Sequence, residues 1–397
     1  MLRIDPDTGK TKWYKTDGAR SVASALISIL IGMAVGSLII IIVGLLKPDL
    51  SMKSIWDGIR LVFLGIFSTG RDGADLSFGF EPVNMGNMLF RATPLIMTGL
   101  SVAVAFKTGL FNIGAPGQYL MGTAGTLTVG LVLGTSGCPV FLAWTAAFLA
   151  GILLGALWGA IPGIFKAFLN INEVITCIMT NWIAANLVTW WFDAHEVFKN
   201  AAEAGKVGYI IPLKNVGVVT PKLGMDILFP GSQANGGFWI ACIIAAGVYI
   251  IMTKTTLGYE LTACGSNRHA AKYAGINDKK NIVLSMMIAG GLAAAGASLY
   301  YLAGNTEFFW STYLSLPDEG FNGIPVALLA ANNPLAVVFA GVFMSMLNIC
   351  GTQLKSLTAY NEYVADIIIA IIVYLSAFSM FIKQILNSAG KKKGGKK

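Results

Sequence analysis

Two short stretches carry glycine, proline and amide side chains inside otherwise apolar sequence: Phe111-Asn112-Ile113-Gly114-Ala115-Pro116-Gly117-Gln118 and Phe321-Asn322-Gly323-Ile324-Pro325. Glycine and proline interrupt helices, and an interrupted helix in an apolar setting frees backbone groups and helix ends that can meet a polar solute. Phe111, Asn112, Gln118 and Asn322 are therefore candidate solute-pathway residues; capping of a helix start is the competing reading for the two asparagines. A further polar point is Asn181-Trp182, a turn or so into the apolar run 174–192. An amide there is costly against lipid, so it must face a cavity or another helix. Amide and indole together suit a solute with hydroxyls and a flat ring, and hydrogen bonding between helices is the alternative.

The stretch 254–281 offers a different chemistry, that of docking. Ser266 is expected to cap a helix beginning at Asn267, and Gly275 to end it about two turns later. Ala270, Ala271 and Ala274 then share one face. A short helix with small side chains on one face is shaped for another protein's groove. Gly265, Asn267, Arg268, Ala270, Ala271 and Gly275 are accordingly candidate docking residues.

The elements that position these residues follow from composition. Of 397 residues, 55% are hydrophobic and 12% charged, against about 25% charged in an average soluble domain. The apolar residues fall in about ten runs: 21–46, 87–106, 117–136, 139–165, 174–192, 237–253, 282–303, 321–332, 334–351 and 363–383. Most approach the ~20 residues needed to span a hydrocarbon core, so the chain reads as an all-α protein crossing a membrane many times. The first run is too long for a signal-peptide core and reads as an anchoring helix. The run 321–332 is too short to cross alone and reads as a half-length helix completed by irregular backbone, which protein or a cavity must shield. In the run 139–165, Gly151, Gly155, Gly159 and Gly163 recur every fourth residue, a spacing that lets another helix approach closely.

Charge supplies an orientation. With ten crossings and both termini cytoplasmic, the inner pieces hold 18 Lys+Arg and 6 Asp+Glu, and the outer pieces 10 and 14. That asymmetry obeys the positive-inside bias. The permease domain then covers 21–384, between a cytoplasmic N-terminus (1–20) and a basic cytoplasmic tail (385–397) suited to anionic lipid rather than nucleic acid. The two interrupted stretches enter from opposite sides, so segments 2–5 and 7–10 form a candidate inverted repeat. The outer loops 48–86 and 193–236 are too short and polar for catalytic domains.

No phosphate-binding GxxxxGK[ST] loop occurs, nor HExxH, nor a GxSxG elbow. The five cysteines show no metal-ligand spacing, and His195 and His269 lack partners and read as solvated. No catalytic residue, metal site or cofactor is expected. Few acidic residues fall within the runs, which argues against an ion-coupled secondary transporter.

The phrases RATPLIMTGL (91–100), GLFNIGAPGQ (109–118) and NEVITCIMTNWIA (172–184), with the loop Gly265 to Gly275, resemble the large permease subunit of bacterial nucleoside importers. These lie within the wider ABC permease family for ribose and branched-chain amino acids. The likeness covers Arg91 to Ile382. It implies a non-catalytic permease in the bacterial cytoplasmic membrane, forming half of a nucleoside pathway. It also implies three partners: an ATPase with two fused nucleotide-binding halves, a second and shorter permease, and a substrate-capturing lipoprotein. In that resemblance Asn112, Gln118 and Asn181 are pathway residues, and Asn267, Ala270, Ala271 and Gly275 couple to the ATPase. The family usually has glutamate where this chain has Pro116, which stiffens that turn. Ribose-like sugars and branched-chain amino acids are the alternative solutes.

Overall fold

The computed structural model describes residues 17–47, 50–200, 208–310 and 316–360, with Tyr363, Asp366, Ile367, Ala370, Ile371 and Tyr374. Most of the last expected run, the start of the N-terminus and the basic tail lie outside the described residues. The chain divides into two compact units, one of residues 82–345 and one of residues 1–81 with 346–397.

The larger unit holds α3 (Pro82–Lys107), α4 (Ala115–Thr135), α5 (Val140–Leu169), α6 (Glu173–Asp193), the short α7 (Met225–Leu228), α8 (Gly237–Lys254), α9 (Thr256–Ser266), α10 (Arg268–Tyr273), α11 (Asp278–Tyr301), α12 (Asp318–Leu329) and the first half of α13 (Pro334–Leu357). The helices α3, α5, α6, α8, α11 and α13 are each long and apolar enough to cross a membrane. α3 and α11 are buried along most of their length. α5 instead leaves Leu149, Leu153, Leu157 and Phe168 exposed. In water such a face would be an aggregation liability; in a bilayer it is the face that lipid covers.

Small residues set the spacing of these helices. All four α5 glycines are buried, and each faces α11. A Cβ at Gly155 would lie 2.2 Å from the Ala294 Cβ, one at Gly159 2.4 Å from the Met286 carbonyl oxygen, and one at Gly151 2.3 Å from both the Ser298 and Thr126 hydroxyls. Thr126 and Ser298 share a 2.7 Å hydrogen bond that ties α4 to α11. The same device recurs elsewhere, with Gly99 of α3 against Val326 and Val337, Gly341 of α13 against Ile96, and Gly323 of α12 against Thr98. Thus α11 packs on α4 and α5, while α3 packs on α12 and α13.

α12 begins at Asp318, three residues before Phe321, so Asn322 sits inside the helix rather than at its opening. Its 12 residues rise about 18 Å, well short of a ~30 Å hydrocarbon core. The described part of the segment 193–236 is more structured than its polarity suggests. Ile210, Leu213 and Val218 are fully buried against α4, α6 and α11, and residues 209–210 bridge to Lys199 and Phe309. His195 is packed, not solvated: its ring lies 4.2 Å from that of Trp191, whose carbonyl oxygen is 2.7 Å from Nδ1.

The smaller unit contains α1 (Asp17–Leu46), α2 (Met52–Leu64), a hairpin of β1 (Ser68–Asp72) and β2 (Asp75–Phe78), and the second half of α13. Ser51 caps α2 by accepting from the Ser54 N–H. Tyr360 donates to the Ile40 carbonyl at 2.9 Å, and buried Asp57 pairs with Arg71 of the hairpin. The apolar periodicity of residues 48–86 was too brief to announce either element.

Gly155→Val introduces side-chain atoms where Ala294 and Gly290 already stand. It is expected to cost about 1–3 kcal/mol through overpacking. The check is a lower melting temperature and yield of monodisperse protein in detergent, with Gly247→Val, where a Cβ meets nothing, unchanged.

Candidate functional site at the interrupted helix

Between α3 and α4 the chain leaves helical geometry for seven residues, 108–114, and its polar groups are accounted for one by one. Thr108 turns its hydroxyl back to the Ala105 carbonyl at 2.8 Å and also bonds the hydroxyl of Ser285 on α11. Gly109 adopts a φ of 71°, which an L-residue seldom takes. Asn112 then enters the core with no exposed surface. Its Nδ2 donates to Ser101 Oγ at 3.0 Å and to Gln118 Oε1 at 2.7 Å, and its Oδ1 accepts from Gln118 Nε2 at 3.0 Å. From α6, the Asn181 Oδ1 accepts from the Gly117 N–H at 2.9 Å, while Nδ2 donates to the Ile113 carbonyl at 2.9 Å.

Three predicted pathway residues, Asn112, Gln118 and Asn181, are therefore brought together, but their amides are bonded to one another and to the backbone of the interruption. The Gly114 N-cap of α4 has no side-chain cap, so Asn112 is not a cap either. It clamps the turn. Phe111 stacks on Phe106 with ring centroids 5.3 Å apart. Trp182 does not join Asn181. Adjacent helical positions diverge, and Trp182 is 44% exposed on the far side. Asn322 is half-buried on α12 and belongs to no such network among the described residues.

The docking loop departs from expectation in its caps and in the facing of one alanine. Asn267, not Ser266, caps α10, accepting from the Ala270 N–H at 3.0 Å; Ser266 ends α9 and donates back to the Thr262 carbonyl. Gly275, with φ 83°, terminates the turn, and Arg268 pairs with Asp278 at 2.8 Å. Ala271 is 4% exposed and turns inward, so it is not on the free face. That face carries His269, Ala270, Tyr273 and Ala274.

Gly265 links the two regions. Its Cα is 3.2 Å from where a Gly109 Cβ would be, and a Cβ on Gly265 would fall 2.2 Å from the Lys107 carbonyl oxygen. The end of α9 thus presses on the turn that begins the interruption. Below, α5 ends at Asn170 in left-handed geometry, Asn172 caps α6 through the Val174 N–H, and Lys166 pairs with Glu173 at 2.8 Å.

Sequence reasoning missed Glu319, a carboxylate in the first turn of the short α12. It lines a cavity of about 210 Å³ with Tyr301, Phe308, Phe309 and Trp310. The signal was available in an acidic residue beside a run too short to cross.

A bundle of apolar helices around two buried ones, with a buried polar turn joining α3 to α4 and the half-length helix α12, fits a membrane permease. The chain belongs to the family described as the branched-chain amino acid transport system permease component, whose model matches residues 84–377. It is 33% identical over 367 residues to the guanosine ABC transporter permease protein NupP of Bacillus subtilis, covering 92% of this chain and 96% of that one. It is also 33% identical over 385 residues to the nucleoside ABC transporter permease protein NupB of Lactococcus lactis, covering 95% and 98%. To the glucose ABC transporter permease protein TsgB13 of Haloferax volcanii it is 31% identical over 310 residues, 75% and 77% of the two chains. No solved structure matches.

Replacing Asn112 by leucine strands the Gln118 amide and the Ser101 hydroxyl in a buried setting, at about 1–3 kcal/mol for each stranded group. Asn112→Leu is expected to lower thermal stability together with solute uptake, read by melting in detergent and by transport in vesicles. Uptake lost at full stability would restore a direct solute contact.

Proposed function

We propose that the chain is a transmembrane subunit of a nucleoside ABC importer in the bacterial cytoplasmic membrane, itself without catalytic activity and driven by a separate ATPase. Two relatives matched over nearly their whole length carry guanosine or nucleoside in their names, and this supports the solute. Partners of the same system would be a second permease and a substrate-binding lipoprotein, with the ATPase carrying two fused nucleotide-binding halves.

The single observation that carries the mechanism is the contact of Gly265 with the turn 107–109. A docked ATPase pushes on the exposed face of α10. α9 and α10 move with the Arg268–Asp278 clasp, and the displacement passes through Gly265 to the base of the interruption that the Asn112, Gln118 and Asn181 amides hold. Interfaces and packed cores shift between discrete arrangements rather than bending continuously. The amide clamp is suited to such a shift because its bonds can exchange partners as a set. The reciprocal packing of α11 on α4 and α5 and of α3 on α12 and α13 supports an inverted repeat around this centre, with both termini cytoplasmic.

A complex of this chain with its ATPase, second permease and binding protein, reconstituted in vesicles, is expected to take up radiolabelled guanosine in an ATP-dependent manner. Failure with nucleosides and success with ribose-like sugars or branched-chain amino acids would reassign the solute. Within that complex, Ala270→Glu or Tyr273→Ala should release the ATPase during purification without changing the melting of the permease, since both side chains are exposed. Retention of the ATPase by both variants moves the docking point, with the α5–α6 turn at Asn170 to Glu173 next in line. Gly265→Val, whose Cβ would overlap the Lys107 carbonyl, should lower the melting temperature, and in complexes that still hold the ATPase should reduce uptake per ATP hydrolysed by about tenfold, on the scale of 1.4 kcal/mol of lost coupling.

A further inference from the structure

The cavity beside Glu319 is built from four helices and one extended segment of the larger unit. Leu120 of α4, Ala185, Val188 and Thr189 of α6, Tyr301 of α11 and Glu319 of α12 meet the aromatic run Phe308-Phe309-Trp310. That run is fixed in place: the Phe308 carbonyl accepts from the Ile210 N–H, the Trp310 N–H donates to the Gly208 carbonyl, both at 2.9 Å, and the Lys199 ammonium lies 4.9 Å over the Trp310 ring. Tyr301 and Phe308 meet edge to face at 5.7 Å. The cavity wall is aromatic and aliphatic apart from the Glu319 carboxylate, the Thr189 and Tyr301 side chains and the Trp310 indole. The Glu319 carboxylate forms no ion pair among the described residues. The Trp310 indole N–H is buried without a partner among them.

Buried donors without partners are uncommon and ask for a reason. A carboxylate within a transmembrane helical unit is a functional-site hypothesis by default. Taken together, the wall offers π faces and edges, the carboxylate accepts hydrogen bonds only, and the indole donates only. The complementary ligand is a flat heteroaromatic ring with N–H donors on one edge and ring acceptors on another. At about 210 Å³ the cavity falls below the ~300–1,000 Å³ of drug-sized sites, which fits a base rather than a whole nucleoside.

We propose that this cavity is the site that holds the nucleobase during passage, with Glu319 accepting the base's edge N–H groups, the Trp310 N–H donating to a ring acceptor, and the ribose lying outside. The proposal rests on the nucleoside reading above. Among purines it favours guanine, whose adjacent ring and exocyclic N–H groups can occupy both carboxylate oxygens. It also assigns Asn112, Gln118 and Asn181 to the supporting turn and moves the solute contact to the neighbouring aromatic wall.

The test is uptake of guanosine and inosine by the reconstituted full complex carrying Glu319→Gln or Trp310→Phe. Inosine lacks the exocyclic amine. Trp310→Phe keeps an aromatic ring while removing the donor together with part of the ring, so its melting in detergent is compared with the wild type and KM is read only where the two match. Each variant is expected to raise the KM for guanosine by about tenfold or more, because a site that loses one buried polar partner discriminates against its ligand. Assembly with the ATPase should be unchanged. Glu319→Gln should in addition bring the guanosine-to-inosine preference close to one, a change that a merely structural carboxylate would not produce. Wild-type uptake with unchanged KM and unchanged preference in both variants overturns the base site alone. A wild-type complex that takes up glucose or an amino acid but no nucleoside overturns the nucleoside reading and the base site with it.

Discussion

A backbone that leaves helical geometry inside an apolar helix bundle must have every freed N–H and C=O answered by protein, because hydrocarbon offers none. The segment 108–114 is where this chain faces that demand. Asn181 reaches from α6 to bond both Gly117 and Ile113, Asn112 and Gln118 close on each other, and Ser101 and Ser285 supply hydroxyls from α3 and α11. Four helices are thereby committed to one position. Their close approach is possible only because glycines and alanines line the seams, so the packing of α5 on α11 and of α3 on α12 follows from the same requirement.

That economy also separates structure from transport chemistry. A side-chain amide has at most two donors and two acceptor lone pairs, and Asn112 uses both donors and an acceptor within the turn. Such a group positions a solute site better than it forms one. Glu319 and Trp310 stand in the opposite condition: both line a cavity, the carboxylate forms no ion pair among the described residues, and the indole N–H is buried without a partner among them. Gly320, the residue after Glu319, would place a Cβ 2.5 Å from the Cα of Pro116. The start of α12 therefore rests on the start of α4, and movement of the clamped turn bears directly on the carboxylate. The uncharged Pro116 keeps that contact free of a second charge.

Much of this was legible in the residues, unevenly. Apolar runs located the membrane helices to within a few residues, as at 139–165 against Val140–Leu169, since length and hydropathy decide what lipid accepts. The four-residue glycine spacing named the packing face of α5 correctly. Polar residues in apolar runs marked Asn112, Gln118 and Asn181 as special, yet composition does not distinguish an amide turned to a solute from one turned to a neighbouring turn. The choice between Ser266 and Asn267 as cap depended on one residue of phase, and that phase also turned Ala271 inward. Glu319 escaped because a carboxylate flanked by Pro317, Asp318 and Gly320 reads as loop until the fold draws it to the cavity that Tyr301 also lines.

The loop 193–236 and the segment 308–310 show why the last part could not be read. Neither is periodic, and both gain their structure from distant parts of the chain: isolated backbone bridges at Tyr209 and Phe309, a lysine over Trp310, and Ile210 and Leu213 sunk into the core between α4, α6 and α11. A pairing of two irregular segments about a hundred residues apart leaves no local signature, because its stabilisation comes from burial that neither segment has alone. Its consequence is chemical as well as structural. The pairing holds Trp310 and Phe309 rigidly at the cavity wall, and a rigid wall lets a weakly bound solute be recognised without the entropic cost of ordering the site at each passage.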